Sequence, residues 1–184
     1  MKILGVILAA GLSKRFKGNK MLFSYNGKPI LQWTIDLLNS FNFDKLIIVN
    51  EKWEEYKDNF YLYDFKIIEN KEYKNGISSS VKVAIKYALS HGYDNVLIFL
   101  GDMPLIPKKI IEKILNIQTQ KPIIAPYYNE KKGFPTYIKK ELFEEILKLE
   151  GDAGIKQIIK KHPNIVEKII VDSPEVTVDF DYKP

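Results

Sequence analysis

The densest chemistry in this chain lies in the twelve residues after its first apolar run, Ala9-Ala10-Gly11-Leu12-Ser13-Lys14-Arg15-Phe16-Lys17-Gly18-Asn19-Lys20. Small residues where a buried strand ends let backbone N–H groups approach a ligand, and four cations fall between positions 14 and 20. A polyphosphate needs both. Arg15 is the only arginine among 28 Lys and Arg residues, which marks a place for a planar, always-charged fork. The segment is neither G-x-x-x-x-G-K-[ST] nor G-x-G-x-x-G. A solvated basic loop is the competing structural reading.

Three other groups could act with it. Asn75-Gly76-Ile77-Ser78-Ser79-Ser80 opens an amphipathic stretch, where one serine suffices as an N-cap and three hydroxyls over helix N–H groups could hold a base, ribose or phosphate. Gly101-Asp102-Met103-Pro104 follows an apolar run directly, so Asp102 is either a turn former or a hard-oxygen ligand for Mg²⁺. Asp179-Phe180-Asp181 offers a second carboxylate, since alternation in a strand would put both aspartates on one face. Glu150-Gly151-Asp152 reads as a helix C-cap followed by an N-cap. His91 and His162 fall at expected helix ends and give no triad.

The elements that must position these groups follow from periodicity. Ile3 to Ala9, Lys45 to Val49, Phe65 to Glu69, Val96 to Leu100 and Ile123 to Pro126 read as strands, several apolar throughout and so buried on both faces. Ile30 to Ser40, Trp53 to Phe60, Ser78 to Ser90 and Pro107 to Gln118 read as helices. This β-α-β-α succession predicts an α/β fold with a Rossmann-like, doubly wound, mostly parallel sheet, ligands gathering beyond its carboxyl ends. After Pro126 the pattern changes. It predicts a strand through Phe134 to Ile138, helices over Glu141 to Leu149 and Ala153 to Lys161, and strands near Val166 to Val171 and Val176 to Phe180. The expectation is one domain over residues 1–184 with a C-terminal elaboration.

Composition narrows the chemistry. The 184 residues include no Cys and two His, which excludes Cys-based zinc sites, iron–sulfur clusters, cysteine nucleophiles and CxxC redox chemistry. The hydrophobic fraction of 46% and charged fraction of 28% are those of a globular protein. A formal net charge of +5 suits anionic small molecules, and alone it is a thin argument for a nucleic-acid-binding module. Ile3 to Leu12 could be read as a signal-peptide core, but Lys14-Arg15 follows at once and cleavage would remove a strand. No run reaches the ~18 to 20 apolar residues of a membrane span. A cytoplasmic protein without nucleic-acid or membrane partners is expected.

Taken together, Leu8-Ala9-Ala10-Gly11-x-Ser13-x-Arg15-x-x-x-x-Lys20 resembles the L-A-A-G-x-S-x-R-M-G-x-x-K signature of the MobA-like nucleotidyltransferases. Gly76-Ile77-Ser78-Ser79-Ser80, Gly101-Asp102-Met103-Pro104, Gly133-Phe134-Pro135 and Gly151-Asp152-Ala153-Gly154 look most like the molybdenum cofactor cytidylyltransferases within that family. The resemblance covers nearly the whole chain and implies a nucleotide-diphospho-sugar transferase-like fold. It also implies transfer of CMP from CTP to the terminal phosphate of molybdopterin, with release of pyrophosphate. Arg15, Lys20 and Asp102 would be catalytic. Leu8, Ala9, Ala10, Gly11, Ser13, Arg15, Lys20, Gly76, Ser78, Ser79 and Ser80 would bind the nucleotide. Asp102 and Asp181, or Asp179 in its place, would hold Mg²⁺ or Mn²⁺, and Gly133, Pro135 and Asp152 would meet the acceptor. A transient contact with a molybdoenzyme would follow. Phe16-Lys17 replaces the family's Met-Gly, and Tyr182 stands where D-x-D-T-P has its Thr. Ala10 stands where guanylyl-transferring relatives have a second Gly. A guanylyltransferase, a nucleotidyltransferase of sugar phosphates or other phosphorylated small molecules, and a non-catalytic nucleotide-binding regulator remain as alternatives.

Overall fold

The structure, a computed structural model, describes residues 1–180. In chain order come β1 (Ile3–Leu8), the short hairpin of β2 (Ser24–Tyr25) and β3 (Lys28–Pro29), α1 (Ile30–Asn39), β4 (Asp44–Val49), α2 (Trp53–Tyr56), β5 (Lys66–Glu69), α3 (Ile77–Ser90), β6 (Asn95–Leu100) and α4 (Lys108–Asn116). β7 (Ile123–Tyr128), β8 (Lys131–Lys132), β9 (Thr136–Lys139), α5 (Phe143–Ile146), α6 (Lys156–Lys161) and β10 (Val166–Ile170) complete it. The main sheet has the order β10-β7-β9-β6-β1-β4-β5, with β8 beside β7. β6, β1, β4 and β5 are parallel, as are β10 and β7, whereas β9 runs antiparallel to both neighbours. The α/β, mostly parallel expectation is met.

The apolar runs lack alternation because both faces of the sheet are covered. Leu4, Val6 and Leu8 of β1 pack in one core with Val81, Ala84, Ile85 and Ala88 of α3. Ile7 and Ala9 turn to the other, where Leu31, Ile35 and Leu38 of α1 lie with Ile110, Ile111 and Ile114 of α4. From β1 the chain moves outward to β4 and β5, then returns through α3 to β6 on the opposite side of β1. This reversal opens a crevice between the carboxyl ends of β1 and β6, the place where such sheets bind ligands.

The later elements depart most from expectation. β9 begins at Thr136 rather than Phe134, because Pro135 has no N–H to give the ladder and Phe134 donates its own to the Val176 carbonyl at 2.8 Å. It also fills the interior of the sheet, between β6 and β7, rather than decorating its edge. No strand forms over Val176 to Phe180: Pro174–Thr177 is a 3₁₀ turn, and the Phe180 N–H donates to the Asp102 carbonyl at 3.1 Å. The segment thus crosses the strand ends instead of running beside one. The shared face expected for the two aspartates is not built by this segment, and Asp181 lies outside the described residues. The helices expected over 53–60, 141–149 and 153–161 shorten to α2, α5 and α6, with 3₁₀ turns at Lys57–Asn59 and Lys140–Leu142. Among the described residues, no helix is long and apolar enough to cross a membrane.

Candidate active site

The loop after β1 is held from beneath. Ala9 donates its N–H to Ile48 at 2.8 Å, and the buried Asn50 side chain donates to the Ala10 carbonyl at 3.2 Å. Both alanines are buried, whereas Gly11, Leu12, Lys14 and Arg15 are exposed and Ser13 adopts φ 49°. Phe16 then turns inward. Its N–H reaches the Ser13 carbonyl, and its ring meets Phe23 edge-on at 5.5 Å. The Met-to-Phe departure therefore gives the loop an aromatic anchor, and Lys17 remains exposed.

Asn19 caps the 3₁₀ turn Lys20–Leu22 by accepting from the Met21 N–H, which fixes the backbone that carries Lys20. The Lys20 ammonium lies 2.9 Å from Asp102 Oδ2, with side chains only 7% and 17% exposed. The loop after β1 and the end of β6 are thus joined across the crevice by an ion pair between residues 82 apart in sequence. Each charge is shielded from water, and each offsets the other's desolvation. A phosphate anion suits the lysine and a hard cation suits the carboxylate, so the pair can be separated by ligands of opposite sign.

The three serines are placed differently from the expectation of hydroxyls exposed for ligand. All are buried. Ser79 Oγ donates to the Gly76 carbonyl, and Asn70 Nδ2 donates to the hydroxyls of Ser79 and Ser80 at 2.8 and 3.0 Å. Ser78 Oγ donates to the Glu150 carbonyl and accepts from the Gly154 N–H. The helix N–H groups are also taken: Ile77 donates to Asp152 Oδ1 and Ser78 to the Gly151 carbonyl. The cap of α3 comes from a loop 75 residues away, not from a serine. Gly76, at φ 96°, must be glycine here, since a Cβ would sit 2.6 Å from the Gly151 carbonyl oxygen. Asp152 therefore caps α3, correcting its reading as the cap of the helix that follows it.

A cavity of about 190 Å³ opens beside these elements, lined by Leu8, Ile98 and Met103 from the strand ends, Asp152 to Lys156, the 131–136 segment, and Thr177 and Asp179. Of the expected acceptor residues, Asp152 lines it, but Gly133 and Pro135 do not. Gly133 instead lets Val176 cross closely, its missing Cβ being where the Val176 side chain sits at 2.7 Å. The Phe134–Pro135 peptide is cis. These residues aim their neighbours, Lys132, Phe134 and Thr136, into the cavity. Lys132 donates to the Thr136 hydroxyl and to the Gly133 carbonyl at 3.1 Å, and its ammonium lies 4.3 Å from the Phe134 ring centroid. Burial, with a smaller push from Lys156, lowers its pKa to about 7.

Sequence reasoning missed Lys132, Lys156 and the two asparagines. The Asn50 and Asn70 signal was present: each follows an apolar strand directly, in Ile-Ile-Val-Asn and Ile-Ile-Glu-Asn. For a divalent cation the described donors are the Asp102 carboxylate and Asp179, brought to the same strand end by the Phe180–Asp102 backbone bond. No group of three or more His, Asp and Glu forms among the described residues. Two hard carboxylates fit a cation of the Mg²⁺ class, which fills its remaining positions with phosphate oxygens and water.

Residues 5–166 match the model of the MobA-like NTP transferase domain. The chain is 35% identical over 114 residues to a probable molybdenum cofactor guanylyltransferase of Thermococcus sibiricus, an alignment spanning 61% of this chain and about half of that relative, 54%. Over 182 residues, 96% of this chain and 89% of the relative, it is 25% identical to the molybdenum cofactor cytidylyltransferase of Escherichia coli. The crystal structure of Rv0371c from Mycobacterium tuberculosis superposes with a TM-score of 0.85 at 24% identity, covering 99% and 93% of the two chains. A second structure of Rv0371c, in complex with manganese, gives 0.77 at 20% identity over 94% and 90%. The fold at whole-chain scale and the family signature over the β1 loop agree, and the chain belongs to the MobA-like NTP transferase family.

Proposed function

We propose that the protein transfers CMP from CTP to the terminal phosphate of molybdopterin and releases pyrophosphate. The observation that carries this reading is the Lys20–Asp102 pair across the β1–β6 crevice, beside a cavity edged with lysines. An acceptor phosphate is already an anion at neutral pH, so no side chain has to remove its proton. Its oxygen attacks the α-phosphorus, the bond to the α,β-bridging oxygen breaks, and pyrophosphate leaves with the electron pair. The burden is electrostatic: two anions must meet and charge must be held on the leaving group. Lys20, with Arg15 on the exposed part of the loop, neutralises the triphosphate, while the backbone of Ala9 to Gly11 meets the nucleotide. Gly76 and Ser78 to Ser80 support the site by holding α3 and its capping loop in place. Asp102, with Asp179 or Asp181, would hold Mg²⁺ or Mn²⁺, which when bound supplies further positive charge to the phosphates. The manganese complex of Rv0371c supports a divalent cation in this fold.

Ala10 favours the cytidylyl reading. Its side chain is packed in the core with Leu8 and its carbonyl is held by Asn50, so the backbone that would meet the base is rigid. A site matched to one base edge leaves polar groups unpaired with another, at about 1 to 3 kcal/mol per mismatch. With saturating molybdopterin, kcat/KM for CTP should exceed that for GTP by about ten-fold or more. A ratio at or below one places the chain on the guanylyl branch that the Thermococcus relative is named for. We further propose that the protein works in the cytoplasm, meeting the molybdoenzyme that receives its product only transiently.

A further inference from the structure

Lys132 is a lysine that the β1-loop chemistry does not use. Lys132 is half-buried, and its ammonium lies at the wall of the 190 Å³ cavity, bonded only to two neutral oxygens, on Gly133 and Thr136. No ion pair to it forms among the described residues. The other charged side chains lining the cavity are Lys131 on the same hairpin, Asp152 on the loop before α6, Lys156 at the start of α6, and Asp179 on the tail. Asp152 is engaged with the N-terminus of α3, and Asp179 has partners of its own. Lys156 adds repulsion rather than relief. Folding has therefore placed an uncompensated amine beside a second cation in a largely apolar recess, a costly arrangement without a ligand. The volume is below the ~300 Å³ of a site that engulfs a whole small molecule, so it suits the charged end of one.

We propose that Lys132, with Lys156 beside it, seats a tetrahedral dianion, the phosphomonoester of the acceptor, at the β6 side of the crevice. The identification of that anion as the acceptor's rests on the nucleotidyl-transfer reading; the anion seat itself does not. Because burial and Lys156 hold the amine's pKa near 7, it is only partly charged at neutral pH, and an arriving dianion draws a proton onto it. Binding is then coupled to proton uptake. The sign is fixed: affinity is greatest below the amine's own pKa and falls as pH rises above it.

Sulfate is the suitable probe, a tetrahedral dianion whose charge is constant from pH 6 to 9. Calorimetric titration of the full chain with sulfate, in two buffers of different ionisation enthalpy, reads affinity and proton uptake together. Between pH 7 and 8.5 the wild-type Kd should rise about ten-fold, with net proton uptake. Lys20→Ala should keep this signal, since it empties only the other anion site. Lys132→Arg should bind sulfate without proton uptake and with a flat pH profile, and Lys132→Met should lose the site. Undiminished proton uptake in Lys132→Arg, or unchanged sulfate binding in Lys132→Met, overturns the seat. Pyrophosphate release by the wild type separates the two readings. If no NTP yields pyrophosphate while the Lys132-dependent uptake is present, the nucleotidyl-transfer reading fails and the seat stands; the reverse pattern removes the seat alone.

Discussion

Two lysines on the same crevice store positive charge in opposite ways. Lys20, on the β1 loop, is buried against the Asp102 carboxylate at 2.9 Å, so its charge is neutralised within the protein until a ligand separates the pair. Lys132, on the hairpin leading into β9, has only neutral oxygens for partners, and its amine gives up part of its protonation instead. On the proposed reading the first arrangement would keep a cation ready for a triphosphate, with a carboxylate beside it for a metal. The second keeps a recess that becomes fully cationic when an anion arrives. If the site brings two anions together, as proposed, one positive charge would be pre-set and the other conditional.

The contrast can be broken from either side. Lys20→Ala should carry the largest cost, about 10² or more in kcat, because it removes a preorganised charge and leaves Asp102 buried without that partner. Arg15→Ala should act in the same direction, and Arg15→Lys should not restore full activity, since an ammonium lacks the bidentate fork. Near-normal turnover in both alanine variants would return the loop to a solvated basic surface. Asp102→Asn should fold normally and lose its response to added Mg²⁺ or Mn²⁺, because the amide keeps the shape but not the charge. Circular dichroism and a metal titration of pyrophosphate release check the two halves of that statement.

The conditional side should respond more mildly. Lys132→Met should raise the acceptor KM by about ten-fold while leaving the KM for CTP unchanged. The acceptor KM of the wild type should rise from pH 7 to 8.5, and Lys132→Arg should flatten that rise. The smallest effect belongs to the support between the two regions. Asp152→Ala should lower stability by about 1 kcal/mol, the worth of one helix cap, read from denaturant midpoints.

How much of this was legible beforehand depended on whether a residue's partner was local. β1, β4 and β6 could be read within a residue or two because buried parallel strands are apolar nearly throughout; β5, at the sheet edge, holds only Ile67 and Ile68 half-buried between exposed Lys66 and Glu69. The strand-end rule put the Gly11–Lys20 segment and Asp102 at one crevice, although it could not show that they form an ion pair. Ser78 to Ser80 were noticed, but their partners Asn70, Glu150 and Gly154 are set by tertiary contact, so the hydroxyls' use could not be read from spacing. The 176–180 segment has strand-like alternation, yet the hydrogen bonds from Phe134 and to Asp102 take its backbone across the sheet. Lys132 is one of many lysines in the sequence; only the surrounding β9, tail and α6 loop distinguish it from a surface cation.

The most direct test is pyrophosphate release by the wild-type chain from each of the four NTPs, with Mg²⁺, in the presence and absence of molybdopterin. Acceptor-dependent release, fastest with CTP and reduced about 10² or more by Lys20→Ala, is the expected result. Absence of acceptor-dependent release from any NTP, or release that Lys20→Ala leaves intact, would contradict the assignment of the Lys20–Asp102 crevice as the site of nucleotidyl transfer to molybdopterin.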